Sequence, residues 1–400
     1  MSGLKLTEYV PRPAPGKLGK PIKVRTNFFE VQKLPDIMVH HYDVTVTPDV
    51  PPVANRKVFQ QFITTYGDTE LKGARPVYDG RKNLFSARDL GFDGKTFDIT
   101  LGGDVHPNPK RPIPVFKLKI KKAATINLEE IHQFLNRKAA LSNNILTGIM
   151  ALDVLIRHQP SMLYATVGRS FFTPEGKSPL SGPLDVWRGF YQSARPTAGK
   201  MMINLDISAT AFYQSGPLLN IIVKIMNLRG LDDLRRPQTN WQKVEKSIKG
   251  LRVTVNHRER SKRPFKIFGL TVKSAKDHKF SLESKDGKAA AQQTSVEAYF
   301  KSTYNIKLQF PTLPCVQVGK TACVPLELCS VIEGQRYPKK LDAAQTSDMI
   351  KFTCQPPEKR ANIIKDGLKI LNYDRNEYLK DFGLKISTEM ATVNARFCRS

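Results

Sequence analysis

Residues 297–351 read EAYFKSTYNIKLQFPTLPCVQVGKTACVPLELCSVIEGQRYPKKLDAAQTSDMIK and combine closely spaced aromatic side chains with lysines. Tyr299 and Tyr304 lie five residues apart, and residues 306–310 alternate apolar and polar side chains, a pattern that predicts a β-strand. Single-stranded nucleic acid needs this combination, since ring faces stack on bases and cations bind phosphates. An ordinary β-core with a solvated basic rim has the same composition, because aromatic residues in strands are usually core residues.

The second half of this stretch predicts a turn followed by a helix. An apolar segment at residues 324–331 precedes a basic turn, and residues 346–351 have a helical pattern that returns after residue 352. Asp342 and Asp348 lie close together here. We interpret them as acidic residues near a helix start that compensate the helix dipole, rather than as a catalytic pair.

The net charge of the chain is the strongest global signal. The 400 residues, a length that predicts two to three domains, carry a formal charge of +27. Such a surplus repels itself unless a polyanion is bound, so nucleic acid is the favoured partner and an anionic membrane surface the weaker alternative. The sequence has no apolar run that would span a bilayer and no signal-peptide core at its start, so we expect a cytoplasmic protein.

The cysteines, the histidines and the absent motifs argue against metal, cofactor and hydrolase chemistry. An odd number of cysteines without CxxC spacing predicts buried free thiols in a reducing compartment rather than disulfides or a zinc site. His40 and His41 are neighbours in a predicted strand, where successive side chains point to opposite faces, so joint metal binding is not expected. The sequence contains no HExxH, GxSxG, Walker A or GxGxxG motif.

The first 160 residues predict one domain of mixed α and β structure. Residues 21–46 alternate as strands, a helix begins near Asn55, and a later helix is expected to end at Pro160. Residues 161–214 are rich in turn residues before a strand at 201–213, so we expect a connector there rather than a compact domain.

Residues 241–280 predict a small and strongly basic β-barrel. They hold twelve Lys or Arg residues against three acidic residues, with short strands at 251–255 and 265–272. His257 ends the first of these strands and is either a phosphate donor or a structural or exposed histidine. Phe280 stands in a polar loop and is either a stacking platform for a base or a plug that folds back on the barrel.

Several runs of the sequence closely resemble eukaryotic Argonaute proteins. The stretch that opens this section resembles the end of the PAZ domain and the linker that follows it. The other matching runs are RTNFFEV (25–31), HHYDVTVTPD (40–49) and PVYDGRKNLFSA (76–87) for the N domain, ALDVLIRHQPSMLYATVGRSFFT (151–173) and VWRGFYQSARPTAGKMMINLDISATAFY (186–213) for the first linker, and DFGLKISTEMATVNAR (381–396) for the second linker. The runs cover nearly the whole chain after residue 20, and details such as YPKKL resemble a fungal member.

The resemblance implies an α+β multidomain fold. The implied divisions are a flexible basic N-terminus at 1–20, an α/β N domain at 21–160, linker 1 at 161–214, a PAZ domain at 215–335 and a helical linker 2 at 336–400. The PAZ domain is expected to be an OB-like β-barrel with an inserted module of a β-hairpin and a short helix.

The resemblance also implies which residues contact RNA. Those that match the family's pocket for the 3′ end of the guide RNA are His257, Arg263, Phe265, Lys266, Phe280, Tyr299, Tyr304 and Val324. In the family the tyrosines and the histidine contact the terminal phosphodiester, and the aromatic residue of the inserted module packs against the terminal nucleotide. Those that match contacts to the guide backbone or seed are Arg169, Ser208, Arg336, Thr346, Met349 and Ile350. From the residues alone, Met349 and Ile350 are core residues; the family implies an apolar wedge between bases.

Three positions depart from the family pattern. Phe265 and Cys323 stand where many relatives have tyrosines, and Thr303 replaces a usual basic residue. The resemblance therefore implies the same pocket with fewer donors and a weaker grip, by about 1 kcal/mol for each lost hydrogen bond to a charged group.

The implied function is binding of a small guide RNA in gene silencing, with no catalytic residues. The PAZ domain would anchor the guide 3′ end and the N domain would act on the guide–target duplex. The family's MID and PIWI domains, which hold the guide 5′ phosphate and the cleaving carboxylates, are not expected within these residues. The expected partners are single-stranded small RNA, target RNA and Dicer-type silencing proteins. Two alternatives remain, namely part of an RNA-guided endonuclease whose catalytic domain lies outside this chain, and a truncated interaction protein that binds no guide.

Overall fold

The computed structural model of the chain describes residues 16–101, 115–197, 199–236, 239–257, 264–282, 292–319 and 322–398. The chain divides into two compact units. The first comprises Met1–Leu163, Tyr191–Asp206 and Ala361–Ser400, and the second comprises Tyr164–Phe190 and Ile207–Arg360. Both units combine α-helices with β-sheets, which confirms the predicted α+β multidomain fold class.

The strands define five sheets among the described residues. In chain order the strands are β1 (Lys20–Lys33), β2 (Met38–Thr47), β3 (Val77–Tyr78), β4 (Asn83–Ser86), β5 (Gly94–Thr100), β6 (Val115–Asn127), β7 (Ala165–Val167), β8 (Ser170–Pro179), β9 (Leu184–Thr197), β10 (Lys200–Tyr213), β11 (Gly216–Pro217), β12 (Arg252–Val255), β13 (Phe265–Lys266), β14 (Gly269–Ser274), β15 (Lys279–Leu282), β16 (Gln292–Ser295), β17 (Pro314–Gln317), β18 (Cys323–Pro325), β19 (Cys329–Val331) and β20 (Lys385–Phe397).

The described residues form fewer helices than strands. They are α1 (Pro52–Tyr66), α2 (Glu129–Leu135), α3 (Asn143–Leu163), α4 (Leu218–Met226), α5 (Trp241–Ile248), α6 (Val296–Tyr304), α7 (Ala343–Thr353), α8 (Pro357–Leu371) and α9 (Glu377–Phe382), with 3₁₀ turns at Leu231–Arg235, Leu326–Leu328 and Tyr373–Arg375. None of the helices formed by the described residues combines the length and the apolar character needed to cross a bilayer.

The first unit is built on a five-stranded sheet with the order β3-β4-β2-β6-β5. Strand β2 pairs antiparallel with β6 and places Val44 opposite Ile120, so that both side chains lie on the buried face of the sheet. This face packs against Phe59 and Phe62 of α1, which recur at helical spacing. Apolar alternation in the strands and helical periodicity in α1 thus form one core.

Two prolines change the helix boundaries that the sequence predicts. Helix α1 begins at Pro52 rather than near Asn55, because a proline in the first turn removes an N–H group that has no helical partner. Helix α3 continues past Pro160, so the predicted end at this residue is wrong. Pro160 leaves the carbonyl oxygen of Ile156 without its helical donor, and Gln192 Nε2 donates to that oxygen at 3.0 Å instead.

A long antiparallel ribbon of β1 and β20 completes the first unit. The pairing runs from Lys20 opposite Phe397 to Lys33 opposite Lys385. The helices expected within residues 336–400 are present as α7, α8 and α9. The strand β20 follows them and was not predicted.

The turn-rich part of residues 161–214, which the sequence predicts to be a connector, folds as strands. Strands β7, β8 and the first half of β9 belong to the second unit, where Trp187 stacks on Phe212 with ring centroids 4.2 Å apart. Gly189 lies within β9, and an added Cβ would stand 2.4 Å from the carbonyl oxygen of Phe171. In the sequence Gly189 indicates a turn, whereas in the structure it allows β8 and β9 to approach each other closely.

The second unit contains two small sheets that share one core. Their orders are β11-β19-β12-β13 and β14-β17-β18. The chain passes from one sheet to the other between β13 and β14, and again through the 3₁₀ turn between β18 and β19. Val253 of the first sheet and Val316 of the second are both fully buried in the shared core. The sequence predicts a β-barrel for this part of the chain. In the described residues the strands form two sheets over one core, and they do not close into a barrel.

The inserted module predicted for this unit is present as the β15–β16 hairpin and α6. Strand β15 pairs antiparallel with β16 and places Phe280 opposite Thr294. Ser295 then caps α6, because its side chain accepts a hydrogen bond from the N–H of Ala298. The helix ends at Asn305, whose left-handed backbone (φ 54°) suits asparagine.

The strand predicted at residues 306–310 was wrong. The side chains alternate between buried and exposed, but the segment is not part of any sheet. The backbone N–H groups of Gln309 and Phe310 donate to the Glu327 carboxylate at 2.8 and 3.1 Å. One side chain therefore takes the place of a neighbouring strand.

The two aspartates of the opening stretch have different roles. Asp342 caps α7 in a capping box with Gln345, as an acidic residue at a helix start should. Asp348 lies inside α7, so the prediction for it was wrong. Its carboxylate accepts hydrogen bonds from the N–H and the hydroxyl of Ser181 at 3.1 and 2.8 Å, and these bonds lower its pKa.

Candidate nucleic-acid interface

A cavity of about 270 Å³ lies in the second unit, beside α6 and the β15–β16 hairpin. Its lining is mainly apolar and aromatic, with histidine, tyrosine and cysteine side chains. The lining residues are Val255, His257, Phe265, His278, Phe280, Val296, Tyr299, Phe300, Tyr304, Val318, Ala322, Cys323 and Val324.

Helix α6 supplies three aromatic rings to this cavity. Phe300 is buried, and it packs against Tyr304 one helical turn later, with ring centroids 5.4 Å apart. Tyr299 stands edge-on to Phe300 at 5.7 Å and to Tyr304 at 5.9 Å. Phe300 thus anchors the helix in the core and holds the two half-exposed tyrosines at the rim.

His257 follows the end of β12 and meets the same rings from the sheet side. Its imidazole is edge-on to Phe300 at 5.0 Å and to Tyr304 at 4.8 Å. The structure therefore brings His257 together with both tyrosines, which follow it by 42 and 47 residues in the sequence.

Phe280 projects from β15 and forms another part of the cavity wall. Its ring is half-buried, lies edge-on to Tyr299 at 5.4 Å and lines the cavity. The ring packs back on the domain, as the interpretation of Phe280 as a plug predicts. It also lines the cavity, which is the position that a stacking platform for a base requires.

The remaining wall comes from β13 and β18. Phe265, Cys323 and Val324 line the cavity, and the Cys323 Sγ atom lies 3.8 Å from Nε2 of His278. Burial raises the pKa of the Cys323 thiol. This wall of the cavity thus presents a ring without a hydroxyl at Phe265 and a thiol at Cys323.

Most of the pocket residues that the sequence suggested are neighbours in the structure. The ones that line the cavity are His257, Phe265, Phe280, Tyr299, Tyr304 and Val324. Lys266 is exposed on β13 beside Phe265, outside the lining, and Arg263 lies outside the described residues.

One polar lining residue, His278, was missed by sequence reasoning. It lies two residues before Phe280, in the segment that leads into β15. In an extended segment, residues two apart share a face, so the spacing was the signal that would have found it.

The second predicted set is spread over several elements of the second unit. Arg169 is exposed in the turn between β7 and β8, and Ser208 is half-buried on β10. Arg336 is exposed and forms an isolated β-bridge with Phe212.

Helix α7 carries the rest of that set on two sides. Met349 packs against the core of the second unit, whereas the Ile350 side chain is 54% exposed. Thr346 is exposed, and its hydroxyl donates to the Asp342 carbonyl. Of the two apolar residues proposed for a wedge, Ile350 is the one that faces outward.

Among the described residues, no group of three or more His, Cys, Asp or Glu side chains is placed to hold a metal ion. His40 lies near Asp89 at 3.7 Å, while the neighbouring His41 stacks on Phe85. The described cysteines are free thiols; Cys315 and Cys329 are buried, whereas Cys354 and Cys398 are exposed, unlike the prediction of buried thiols.

A two-sheet domain with an inserted hairpin and helix, following a mixed α and β domain and a strand-rich linker, is the architecture of a small-RNA-binding class of multidomain proteins. Family models match the chain in the same order: N-terminal domain of argonaute (residues 20–156), Argonaute linker 1 domain (166–214), PAZ domain (224–350) and Argonaute linker 2 domain (359–397). The chain belongs to the Argonaute family and carries the domains of its N-terminal half.

Several solved structures are similar to this chain, and the first named here shows the same fold. The crystal structure of Kluyveromyces polysporus Argonaute with a guide RNA is 15% identical, covers 97% of this chain and 46% of its own, and has a TM-score of 0.62. Drosophila Piwi is 18% identical over 95% of this chain and 44% of its own, with a TM-score of 0.45. The Drosophila Ago-PAZ domain in complex with 3′-end 2′-O-methylated RNA is 22% identical and covers 30% of this chain and 100% of its own, with a TM-score of 0.25. The chain spans just under half the length of the first two proteins.

Proposed function

We propose that this chain binds single-stranded small guide RNA and holds the RNA 3′ end in the cavity between α6 and the β15–β16 hairpin. The observation that supports this most directly is the convergence of His257, Phe280, Tyr299 and Tyr304 on that cavity. The family match to a PAZ domain over residues 224–350 covers all four residues.

The size and lining of the cavity suit the end of one strand. At about 270 Å³ the cavity is slightly smaller than the ~300–1,000 Å³ of pockets that hold drug-sized ligands. A terminal nucleotide is a ligand of that scale, whereas a duplex is far wider. Ring faces accept any base, and hydroxyl and imidazole groups position a phosphate without reading sequence.

The surrounding charge favours a polyanion. The chain carries +27, and Lys266, Lys301 and Lys307 are exposed on or beside the elements that form the cavity. Cations at the rim attract the RNA backbone, while the apolar lining receives its last unit.

The other domains extend this proposal. The division is 21–160 for the N domain, 161–214 for linker 1, 215–335 for PAZ and 336–400 for linker 2. The N domain acts on the guide–target duplex, and the linker residues Arg169, Ser208, Arg336 and those of α7 contact the guide backbone or seed. The chain itself is proposed to be non-catalytic and cytoplasmic, to act in RNA-mediated silencing, and to meet Dicer-type proteins.

The test compares RNA ends. We expect the protein to bind a duplex with a free two-nucleotide 3′ overhang more tightly than a blunt duplex, since only the overhang can enter the cavity. The Tyr299→Ala/Tyr304→Ala variant should bind the overhang at least about tenfold more weakly, because each lost aromatic contact is worth ~1–3 kcal/mol. Fluorescence anisotropy at several salt concentrations measures both effects.

The controls separate hydroxyls, rings and general charge. Tyr299→Phe/Tyr304→Phe removes only hydroxyls and should lie between the wild type and the double alanine, whereas Tyr66→Phe in the first unit should leave binding unchanged. Affinity should fall with salt, with a log–log slope of about −0.7 for each neutralised phosphate of single-stranded RNA. Equal affinity for overhang and blunt RNA, or a flat salt profile, would contradict the proposal and leave the protein-interaction alternative.

A second candidate is part of an RNA-guided endonuclease. It is favoured by one observation, namely that the chain spans 46% of the length of the Kluyveromyces Argonaute. The coding sequence beyond Ser400 decides between the two. An RNase-H-like set of carboxylates there would assign cleavage to the longer protein.

A further inference from the structure

The cavity contains a second histidine, His278, besides His257. His257 follows β12 of the sheet core, whereas His278 stands at the start of the inserted hairpin. Both line the same cavity. The cavity therefore has an imidazole on each of the two structural parts that enclose it.

The backbone of His278 is fixed on both sides. Its N–H donates to the carbonyl oxygen of Ser274 at 2.8 Å, and its own carbonyl oxygen accepts from the N–H of Val296 at 3.1 Å. The first bond closes the turn before β15, and the second ties this turn to the start of α6. Because the backbone is fixed, the position of the imidazole depends only on the side-chain torsions of His278 and on the groups that contact the ring.

Cys323 lies beside one ring nitrogen of His278. Its Sγ atom lies 3.8 Å from Nε2 of His278, within reach of a hydrogen bond to sulfur, and which atom donates depends on the imidazole tautomer. Burial raises the pKa of this thiol, which favours the thiol as the donor. In the tautomer in which the thiol donates to Nε2, the ring carries its own proton on Nδ1 and can donate from that atom.

We propose that His278, positioned by Cys323, donates a hydrogen bond from Nδ1 to an oxygen of the terminal nucleotide of the bound RNA. This inference rests on the proposed function. It supplies a donor from the hairpin side of a cavity in which the lining residues Phe265 and Cys323 carry no hydroxyl. His278 is then a specificity-determining residue of the pocket, and Cys323 is its positioning residue.

The test measures affinity for a short linear single-stranded RNA and for a circular RNA of the same sequence. His278→Ala should weaken binding of the linear RNA about five- to tenfold, the usual effect of one lost hydrogen bond to a charged or polar ligand group. His278→Asn places an amide N–H close to the position of Nδ1 and should recover most of the affinity. Neither variant should change binding of circular RNA, which offers no end.

The positioning role of Cys323 has its own variants. Cys323→Ser keeps a donor for Nε2 and should bind like the wild type, whereas Cys323→Ala should lose about two- to threefold, because the ring orientation is no longer fixed. His132→Ala, a histidine of α2 in the first unit, is the matched control and should bind like the wild type. Thermal unfolding of every variant shows that each one is folded.

The chemical partner of His278 is identified by modified ends. A methylphosphonate at the last linkage removes the phosphate charge, and a 2′,3′-dideoxy end removes the sugar hydroxyls. The difference between His278→Ala and the wild type should vanish with whichever modification deletes the partner oxygen. Persistence of the difference with both modifications would overturn the inference.

The outcomes also separate this inference from the proposed function. If overhang and linear RNA bind as expected but His278→Ala and His278→Asn lose equally or not at all, His278 serves packing only and the inference alone fails. If the His278→Ala loss is the same for circular RNA, His278 does not read an end and the inference again fails. If wild-type protein shows no preference for free ends, the proposed function itself fails.

Discussion

Each unit of this molecule contains a histidine set edge-on against a phenylalanine and a tyrosine, and the two arrangements differ in what surrounds them. In the first unit His158 lies 6.0 Å from Phe59 and 4.6 Å from Tyr378, with interplanar angles of 84° and 76°. In the second unit His257 lies 5.0 Å from Phe300 and 4.8 Å from Tyr304, with angles of 81° and 69°. The ring geometry is nearly the same.

The difference lies in the space beside the rings. His158 is 2% exposed, and its Nδ1 accepts the N–H of Tyr78 at 3.1 Å, so the first arrangement is closed and complete. His257, Tyr299 and Tyr304 border a cavity of about 270 Å³. The composition and the ring contacts of the two arrangements are alike. What distinguishes the proposed binding site from the core is the unfilled space next to half-exposed rings.

The closed cluster should be the more sensitive to truncation. Phe59 is 1% exposed and lies edge-on to His158 with ring centroids 6.0 Å apart, so Phe59→Ala should lower the free energy of unfolding of the first unit by about 3–5 kcal/mol. Tyr304→Ala in the open cluster should cost roughly 1 kcal/mol, because this side chain is already partly exposed. Urea unfolding of both variants measures the contrast. Equal losses would mean that the second cluster is ordinary core.

The two clusters should also differ in their response to acid. Burial is the main cause that lowers the pKa of His158 to about 4, and the charge of Arg56 lowers it further. The opposing effect comes from the Tyr78 carbonyl oxygen, 3.2 Å from Nδ1, which can accept a hydrogen bond from the protonated ring. Between pH 6.5 and about 4 the unfolded chain therefore binds a proton that the native state does not. Stability is fully present above pH 6.5 and falls with pH below it, by ~1.4 kcal/mol per unit at most and about 3 kcal/mol in total.

His158→Gln is the control for this pH effect. It should be less stable at neutral pH but should lack the part of the acid slope that one proton contributes. A histidine resonance that disappears in His158→Gln and titrates near pH 4 in the wild type would be the direct confirmation. A resonance that titrates at 6.5, or an unchanged slope in the variant, would contradict the buried neutral state.

The sequence predicted much of the pocket because short-range patterns and the family resemblance agreed there. The spacing of Tyr299 and Tyr304 and the positions of Phe265 and Phe280 are local features. The strand predicted at residues 265–272 formed as two strands of different sheets, β13 and β14, and Phe280, which the sequence places in a polar loop, lies on β15. His257 was ambiguous from spacing alone. Only the fold brings it against Phe300, which comes 43 residues later in the sequence.

Two of the failures share one physical cause, which is a distant side chain that replaces a local backbone partner. Glu327 binds the N–H groups that a strand at residues 306–310 would have offered to a neighbour. Gln192 satisfies the carbonyl that Pro160 leaves without a donor, so α3 does not end there. Local periodicity contains no information on such partners.

The open cluster should respond through ligand affinity rather than stability, and Phe280 is the residue that separates the two. Phe280→Ala should weaken binding of single-stranded RNA by ~1–3 kcal/mol, the value of one base stacked on a ring, and should change the free energy of unfolding by less than about 1 kcal/mol. Phe268→Ala is the matched control, because Phe268 is 52% exposed in the same unit and does not line the cavity. Anisotropy titrations and urea unfolding on both variants test the pair. If Phe268→Ala weakens RNA binding as much as Phe280→Ala, the effect comes from general surface contact and the cavity is not the site.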